Sequence, residues 1–240
     1  MTPTLSTLGL VLHTTQYAET SVIVKIFTRQ LGVRSYIVKG VRKGKSRTKQ
    51  NLLQPLSYLE LVVYNNPKSS LNYIKEMVPH NSSHIKDMDM GMQAINNALR
   101  FFMTELLYKT LREEEPMPDL FDYVADVAYC QSPSPGLPIA FMITVARYMG
   151  IEPLDNYSMR EPLFDLDGGR FCFSGNSTLD RECSQLLHYY LQSVSSDEVE
   201  PLAPLQLRTE LINSLLSYFQ LHLTEFRGFR SHEILHTVLQ

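Results

Sequence analysis

The sequence predicts an α+β chain: an N-terminal OB-fold β-barrel followed by a mostly α-helical domain with a small β-hairpin insertion. Three observations lead there. Five short β-rich runs crowd into the first eighty residues, the apolar period then lengthens to three and four, and formal charge divides along the same line. Residues 1–80 hold eleven Lys and Arg against three Glu, a balance of +8. Residues 81–240 hold eleven basic and twenty-two acidic residues, a balance of −11, which the net charge of −3 conceals. Such a split suggests a polyanion-binding module, residues 1–80, joined to a module with another task, residues 81–240.

The predicted strands are Leu8 to Leu12, Ser21 to Thr28, Arg34 to Val38, Tyr58 to Tyr64 and Leu71 to Val78, rich in β-branched and aromatic residues. Gly32, Gly40, Gly44, Pro55 and Asn65-Asn66-Pro67 separate them. Five short strands with no helix long enough to cover a parallel sheet favour a small closed barrel. After Pro79, Met88, Met92, Ile95, Leu99, Phe102 and Leu106 draw one apolar stripe along a helix of about seven turns. Further helices are expected over Pro118 to Tyr129, Ile139 to Met149 (ending at Gly150), Leu179 to Val194 and Leu205 to Phe226, with a short one from Ser231. Between them, Leu163 to Leu166, Asp167-Gly168-Gly169 and Arg170 to Phe173 read as a tight hairpin.

Composition bounds the function. A chain of 240 residues with 44% hydrophobic content can build its core without staples. No run of about 18 apolar residues is present, so no membrane span is expected. Three cysteines, Cys130, Cys172 and Cys183, and no secretory leader point to a reducing, cytoplasmic location.

The motif with most chemistry is the stretch Lys39 to Lys49, which carries Lys39, Arg42, Lys43, Lys45, Arg47 and Lys49 and no acid. A solvated charge run is the ordinary reading of such a stretch. Six uncompensated cations on one loop repel one another, however, and a phosphate backbone relieves that repulsion and releases counterions. Tyr36, Tyr58, Tyr64 and Tyr73, on the predicted strands, are candidate stacking faces for unpaired bases, or plain sheet packing. Gly40 to Ser46 imitates a phosphate-binding P-loop but has three residues between its glycines where four are needed, and Pro55 leaves no room for the helix. His232-Glu233-Ile234-Leu235-His236 matches H-E-x-x-H, yet none of the four residues after it can supply a third ligand. The remaining histidines show no carboxylate partner at useful spacing, and His222 reads as a hydrogen-bonded core residue. No enzymatic activity is expected.

Ordered segments resemble one family. Gly9-Leu10-Val11-Leu12, Tyr17-Ala18-Glu19, Ile26-Phe27-Thr28 with Leu31-Gly32, Val38-Lys39-Gly40-Val41-Arg42-Lys43, Ser46 and Leu53-Gln54-Pro55-Leu56 look like the N-terminal domain of the RecO recombinational-repair family. A looser likeness covers Leu215-Leu216-Ser217-Tyr218, His222-Leu223 and Ser231. The resemblance implies an OB-fold that binds single- and double-stranded DNA, strand annealing, and work with RecR and often RecF. It also implies help to RecA on DNA coated with single-strand binding protein (SSB), whose acidic tail docks on the helical domain. Carried over, the DNA contacts fall on Arg34, Lys39, Arg42, Lys43, Lys45, Arg47 and Lys49; Arg112 and Arg147 are candidates for the SSB tail. Many relatives carry a four-cysteine zinc site near residues 157–175, where this chain keeps only Cys172, with Cys183 displaced. No zinc is therefore expected, the hairpin being held by Leu163, Phe164, Phe171 and Phe173. An RNA-binding OB-fold protein serving translation or RNA turnover is the alternative.

Overall fold

The computed structural model describes residues 3–41, 50–65, 69, 71–80, 90–113, 115–196 and 203–239. Its chain forms two compact units, one of Met1–Met90 with Leu111–Gln131, the other of Gly91–Thr110 with Ser132–Gln240.

In the first unit, β1 (Thr4–Gln16), β2 (Val22–Thr28), β3 (Gly32–Val38), β4 (Tyr58–Tyr64) and β5 (Leu71–Pro79) close into a barrel of order β1-β2-β3-β5-β4, β4 returning to β1. All pairings are antiparallel except β3 with β5. Strand β1 is far longer than its apolar run because it serves two neighbours: its first half pairs with β4 and its second half with β2. Only the shared middle is buried on both sides, so only there does the strand read as continuously apolar. Gly9 lies in that middle. A Cβ there would stand 2.7 Å from Leu61 Cδ1 and 2.8 Å from Ile26 Cγ2, so glycine lets β1 cross close over the core. Val11, Val24, Ile26, Tyr36, Leu59, Leu61 and Val63 fill the interior.

The helix α2 (Pro118–Ala128), together with the segment leading to it, belongs to the barrel's unit, although the sequence reading placed it in the helical domain. Phe121 meets Phe27 edge to face at 5.4 Å, and Asp122 takes both Arg29 Nε and a terminal nitrogen at 2.8 and 2.7 Å. Tyr129 Oη accepts from Tyr58 N–H at 2.9 Å and donates to the Leu56 carbonyl at 3.1 Å. Val33 bridges Glu113 in parallel.

The second unit is helical. It comprises α1 (Met90–Thr110, of which Met90 falls in the first unit), α3 (Leu137–Tyr148), α4 (Arg181–Ser196), α5 (Leu205–His222) and α6 (Ser231–Leu239), with the hairpin β6 (Leu163–Asp165) and β7 (Arg170–Cys172). The stripe of α1 buries Leu99, Phe102, Met103, Leu106 and Leu107. Helix α3 is buried from Pro138 to Ala146, as its unbroken apolar run requires, and it stops at Gly150. There φ is +71°, Ile151 N–H reaches the Ala146 carbonyl at 2.9 Å, and Gly150 N–H reaches that of Arg147 at 3.1 Å. Helix α4 starts two residues later than expected because Asp180 caps it, accepting Cys183 N–H at 2.8 Å. No helix among the described residues is long and apolar enough to cross a membrane.

Candidate nucleic-acid interface

Two grooves mark the barrel, and they differ in charge. The first, about 370 Å³, is lined by Ile37, Val38, Lys39, Leu52, Tyr64, Tyr73, Ile74, Lys75 and Met77. Its floor is aliphatic and its rim carries two lysines and two exposed tyrosines. Lys39 Nζ stands 5.4 Å from the centre of the Tyr73 ring. The second groove, about 360 Å³, is lined in part by Glu60, Glu76, Leu61, Val62 and Val78. Two of the three acids of the first eighty residues thus line the second groove, and no acid lines the first among the described residues, although Glu76 Oε1 comes within 3.7 Å of Lys75 Nζ at its rim. A polyanion is drawn to the first and repelled from the second.

Two further barrel cations are held by the returning segment. Lys25 pairs with Glu113 at 2.9 Å and Arg29 with Asp122 at 2.7 Å. Neither belongs to the predicted DNA set. Of that set, Lys39 lines the basic groove, while Arg34 does not. Arg34 shares the strand face of Tyr36 and Val38, which point into the core; it is half-buried, with one terminal nitrogen 3.1 Å from Asn65 Oδ1 and its Nε buried without a partner. Arg42, Lys43, Lys45, Arg47 and Lys49 lie outside the described residues.

The four strand tyrosines part company. Tyr36 is fully buried in the barrel, and burial pushes its hydroxyl up to about 12. Tyr58 packs against Phe121 and Tyr129, which also raises its pKa by burial first and by Asp122 second. Tyr64 and Tyr73 are 38% and 46% exposed. The sequence offered no sign of which pair would face out, because β5 opens in a parallel pairing with β3 and the β4–β5 ladder shifts by a bulge between Val62 and Val63.

In the second unit, Arg147 closes α3 with its guanidinium on Glu152 at 2.9 and 2.7 Å and on Ser195 Oγ at 3.1 Å. The Glu152 hydrogen bond holds its pKa above the ordinary arginine value. Glu152 and Ser195 belong to a groove of about 670 Å³ that Leu154, Asp155 and Leu191 also line. Arg112 is exposed and belongs to the barrel's unit, so the two candidates for tail binding fall in different units.

At the hairpin, Phe164 and Phe171 are buried and meet at 5.1 Å. Phe173, expected to help hold it, is 78% exposed, because β7 ends at Cys172 and the next side chain has no strand to lie against. Asn156 does that work. Its Nδ2 donates to the Phe171 carbonyl at 2.9 Å and its Oδ1 accepts Phe171 N–H at 2.8 Å. His188, whose Nδ1 lies 2.6 Å from Asp155 Oδ1, stacks on Tyr157 at 4.4 Å. A carboxylate also meets His80, 2.9 Å from Glu60; both partners are remote in sequence, which is why spacing did not reveal them.

The donors near the hairpin do not fit a four-thiolate zinc site: Cys172 is its single thiol, and burial raises its pKa. Cys183 is pushed up to about 12, burial first, and sits with Asp180 and Glu210, a trio that the Asp180 cap explains. His236 Nδ1 lies 3.1 Å from Thr209 Oγ1 and His232 packs on Phe229, so α6 uses both rings against its neighbours. His222 Nε2 bonds the Leu166 carbonyl at 2.8 Å, as a structural histidine does.

Comparison with known proteins agrees with this architecture. The family Recombination protein O N terminal matches residues 1–83, which span all five barrel strands. Along nearly its whole length the chain is similar to three proteins named DNA repair protein RecO. That of Phocaeicola vulgatus is 28% identical over 239 residues, 95% of this chain and 96% of that one. That of Bacteroides fragilis is 28% identical over 95% and 96%. That of Christiangramia forsetii is 25% identical over 97% and 98%. The stretch that the family model matches coincides with the closed five-stranded barrel, and the similarity to these RecO proteins continues through the helical remainder of the chain.

Proposed function

We propose that this chain is a DNA-binding mediator of recombinational repair that anneals complementary strands and, with RecR, helps RecA onto SSB-coated single strands. The observation that carries the reading is the groove of Lys39, Lys75, Tyr64 and Tyr73, whose lining among the described residues includes no acid, whereas Glu60 and Glu76 line a second groove. Chain connectivity adds to it, since residues 42–49 join the stretch holding Lys39 to the stretch holding Leu52, both at that groove. The chemistry needed is electrostatic. Two strands repel, and cations that neutralise one backbone lower the work of bringing up its complement. No nucleotide hydrolysis is required, and the stretch Gly40 to Ser46 lacks the spacing of a phosphate-binding P-loop.

In this reading Arg42, Lys43, Lys45, Arg47 and Lys49 join Lys39 on the phosphates, and Arg34 serves the barrel end instead. RecF and SSB are further partners. The acidic SSB tail fits the groove beside Arg147 only if Arg147 exchanges Glu152 for the tail's carboxylates, because Glu152 and Asp155 otherwise repel it. The hairpin keeps its shape by Asn156 and its aromatic neighbours, without a resident metal.

Annealing of complementary oligonucleotides, and DNA affinity against salt, test the proposal. With about six phosphate contacts, affinity should fall about a thousandfold between roughly 50 and 200 mM salt. Changing Arg42, Lys43, Lys45 and Arg47 together to Ala should flatten that dependence and abolish annealing. An affinity indifferent to salt, or annealing unchanged in the quadruple variant, would overturn the reading. Competition with RNA of equal length separates it from an RNA-binding role.

A further inference from the structure

We infer that Tyr64 and Tyr73 form a stacking site for an unpaired base, so that the barrel holds single strands by base as well as by backbone. The inference rests on the DNA reading above and adds to it the form of DNA that the groove selects.

The two rings come together by register. Val63 pairs with Ile74 in the antiparallel β4–β5 ladder, and one step further the same register sets Tyr64 opposite Tyr73. Tyr73 also pairs with Ile37 of β3, which places it where three strands meet. Tyrosines in sheets ordinarily cover neighbouring side chains, as Tyr58 does with Phe121. Tyr64 and Tyr73 instead keep 38% and 46% of their surface in water while lining an aliphatic-floored groove. That floor, from Ile37, Leu52, Ile74 and Met77, suits the flat apolar face of a base, and the groove's 370 Å³ falls in the range of small-ligand sites.

Charge is placed for the rest of a nucleotide. The Lys39 ammonium stands over the Tyr73 ring, and Lys75 sits at the same rim with its side chain 48% exposed and its ammonium 3.7 Å from Glu76 Oε1, a loose exposed pair that a phosphate can replace, so phosphates on either side of a stacked base meet cations. A duplex cannot use this site, because its bases are already stacked and paired. Once complements pair, the bases must leave the tyrosines, and the barrel loosens its hold on the product. An annealing protein that grips unpaired strands more tightly than paired ones releases what it makes.

Binding to oligothymidylate, to the same backbone carrying abasic sites, and to duplex of equal length, all at one salt concentration, tests this. Tyr64→Ala and Tyr73→Ala should each weaken oligothymidylate binding about tenfold. They should leave abasic and duplex binding within about twofold of the parent. Tyr64→Phe and Tyr73→Phe should bind as the parent does, since stacking needs the ring and not the hydroxyl. The chain contains no tryptophan, so quenching of tyrosine emission by oligothymidylate, reduced in the Ala variants, gives a second readout. Ala variants that bind oligothymidylate like the parent would overturn the inference, as would equal losses on all three ligands. A parent chain that binds none of the three overturns the DNA reading itself.

Discussion

Two glycines with nearly the same backbone angle show how much a single residue's surroundings matter. Gly32 has φ of +67° and Gly40 of +71°, a region that L side chains enter at a cost of about 1–2 kcal/mol. A Cβ on Gly40 would meet nothing within 4 Å, whereas one on Gly32 would lie 2.3 Å from the Glu115 carbonyl oxygen. That oxygen is backbone and cannot rotate away. Gly40→Ala should therefore lower stability by about 1 kcal/mol, and Gly32→Ala by roughly 2–4 kcal/mol, overpacking added to strain. Denaturant midpoints of the two variants check this, and equal losses would mean that the chain around Glu115 yields. Both glycines are legible in the sequence as turn signals, but not the difference between them, because the atom that distinguishes them lies eighty-three residues beyond Gly32.

At the scale of the element, helix α2 is the part whose place was hardest to read. Its span, its proline start and its early acids were all legible, since they depend on neighbours in sequence. Its partner was not, because an amphipathic face states that it is buried without stating against what. Phe121 and Asp122 settle it on Phe27 of β2 and on Arg29 just after that strand. The hydrogen bond from Arg29 holds the Asp122 carboxyl below its ordinary value of 3.8. A carboxyl whose folded value is depressed contributes fully above its unfolded value and loses that contribution as pH falls through the folded one. Helix α2 should accordingly loosen from the barrel below about pH 4. Asp122→Asn, which has no charge to lose, should show a smaller drop in denaturant midpoint between pH 6 and pH 3 than the parent does. Other carboxylates titrate in both proteins and cancel in the comparison. The hairpin gives the opposite lesson: its turn and buried phenylalanines were legible, but Asn156, seven residues before β6, carries no signal of its own.

For the whole molecule, a five-stranded barrel followed by a helical remainder was legible in the period of the apolar residues. What composition could not give is that the chain's two units interleave, with Leu111–Gln131 belonging to the barrel's unit and Gly91–Thr110 to the helical one. Cooperative opening reports such membership directly, because residues of one packed unit exchange their amide hydrogens through a common unfolding event. The amides of Phe121 and Val124 in α2 should share the opening free energy of β1 and β4, and differ from those of α4 and α5. A single strand bound to the barrel stabilises by mass action only what unfolds with it. Oligothymidylate should thus slow exchange in α2 and the barrel strands together while leaving α4 and α5 nearly as they were. Protection of α2 that instead follows α4 and α5, with or without the ligand, would remove this helix from the nucleic-acid-binding unit.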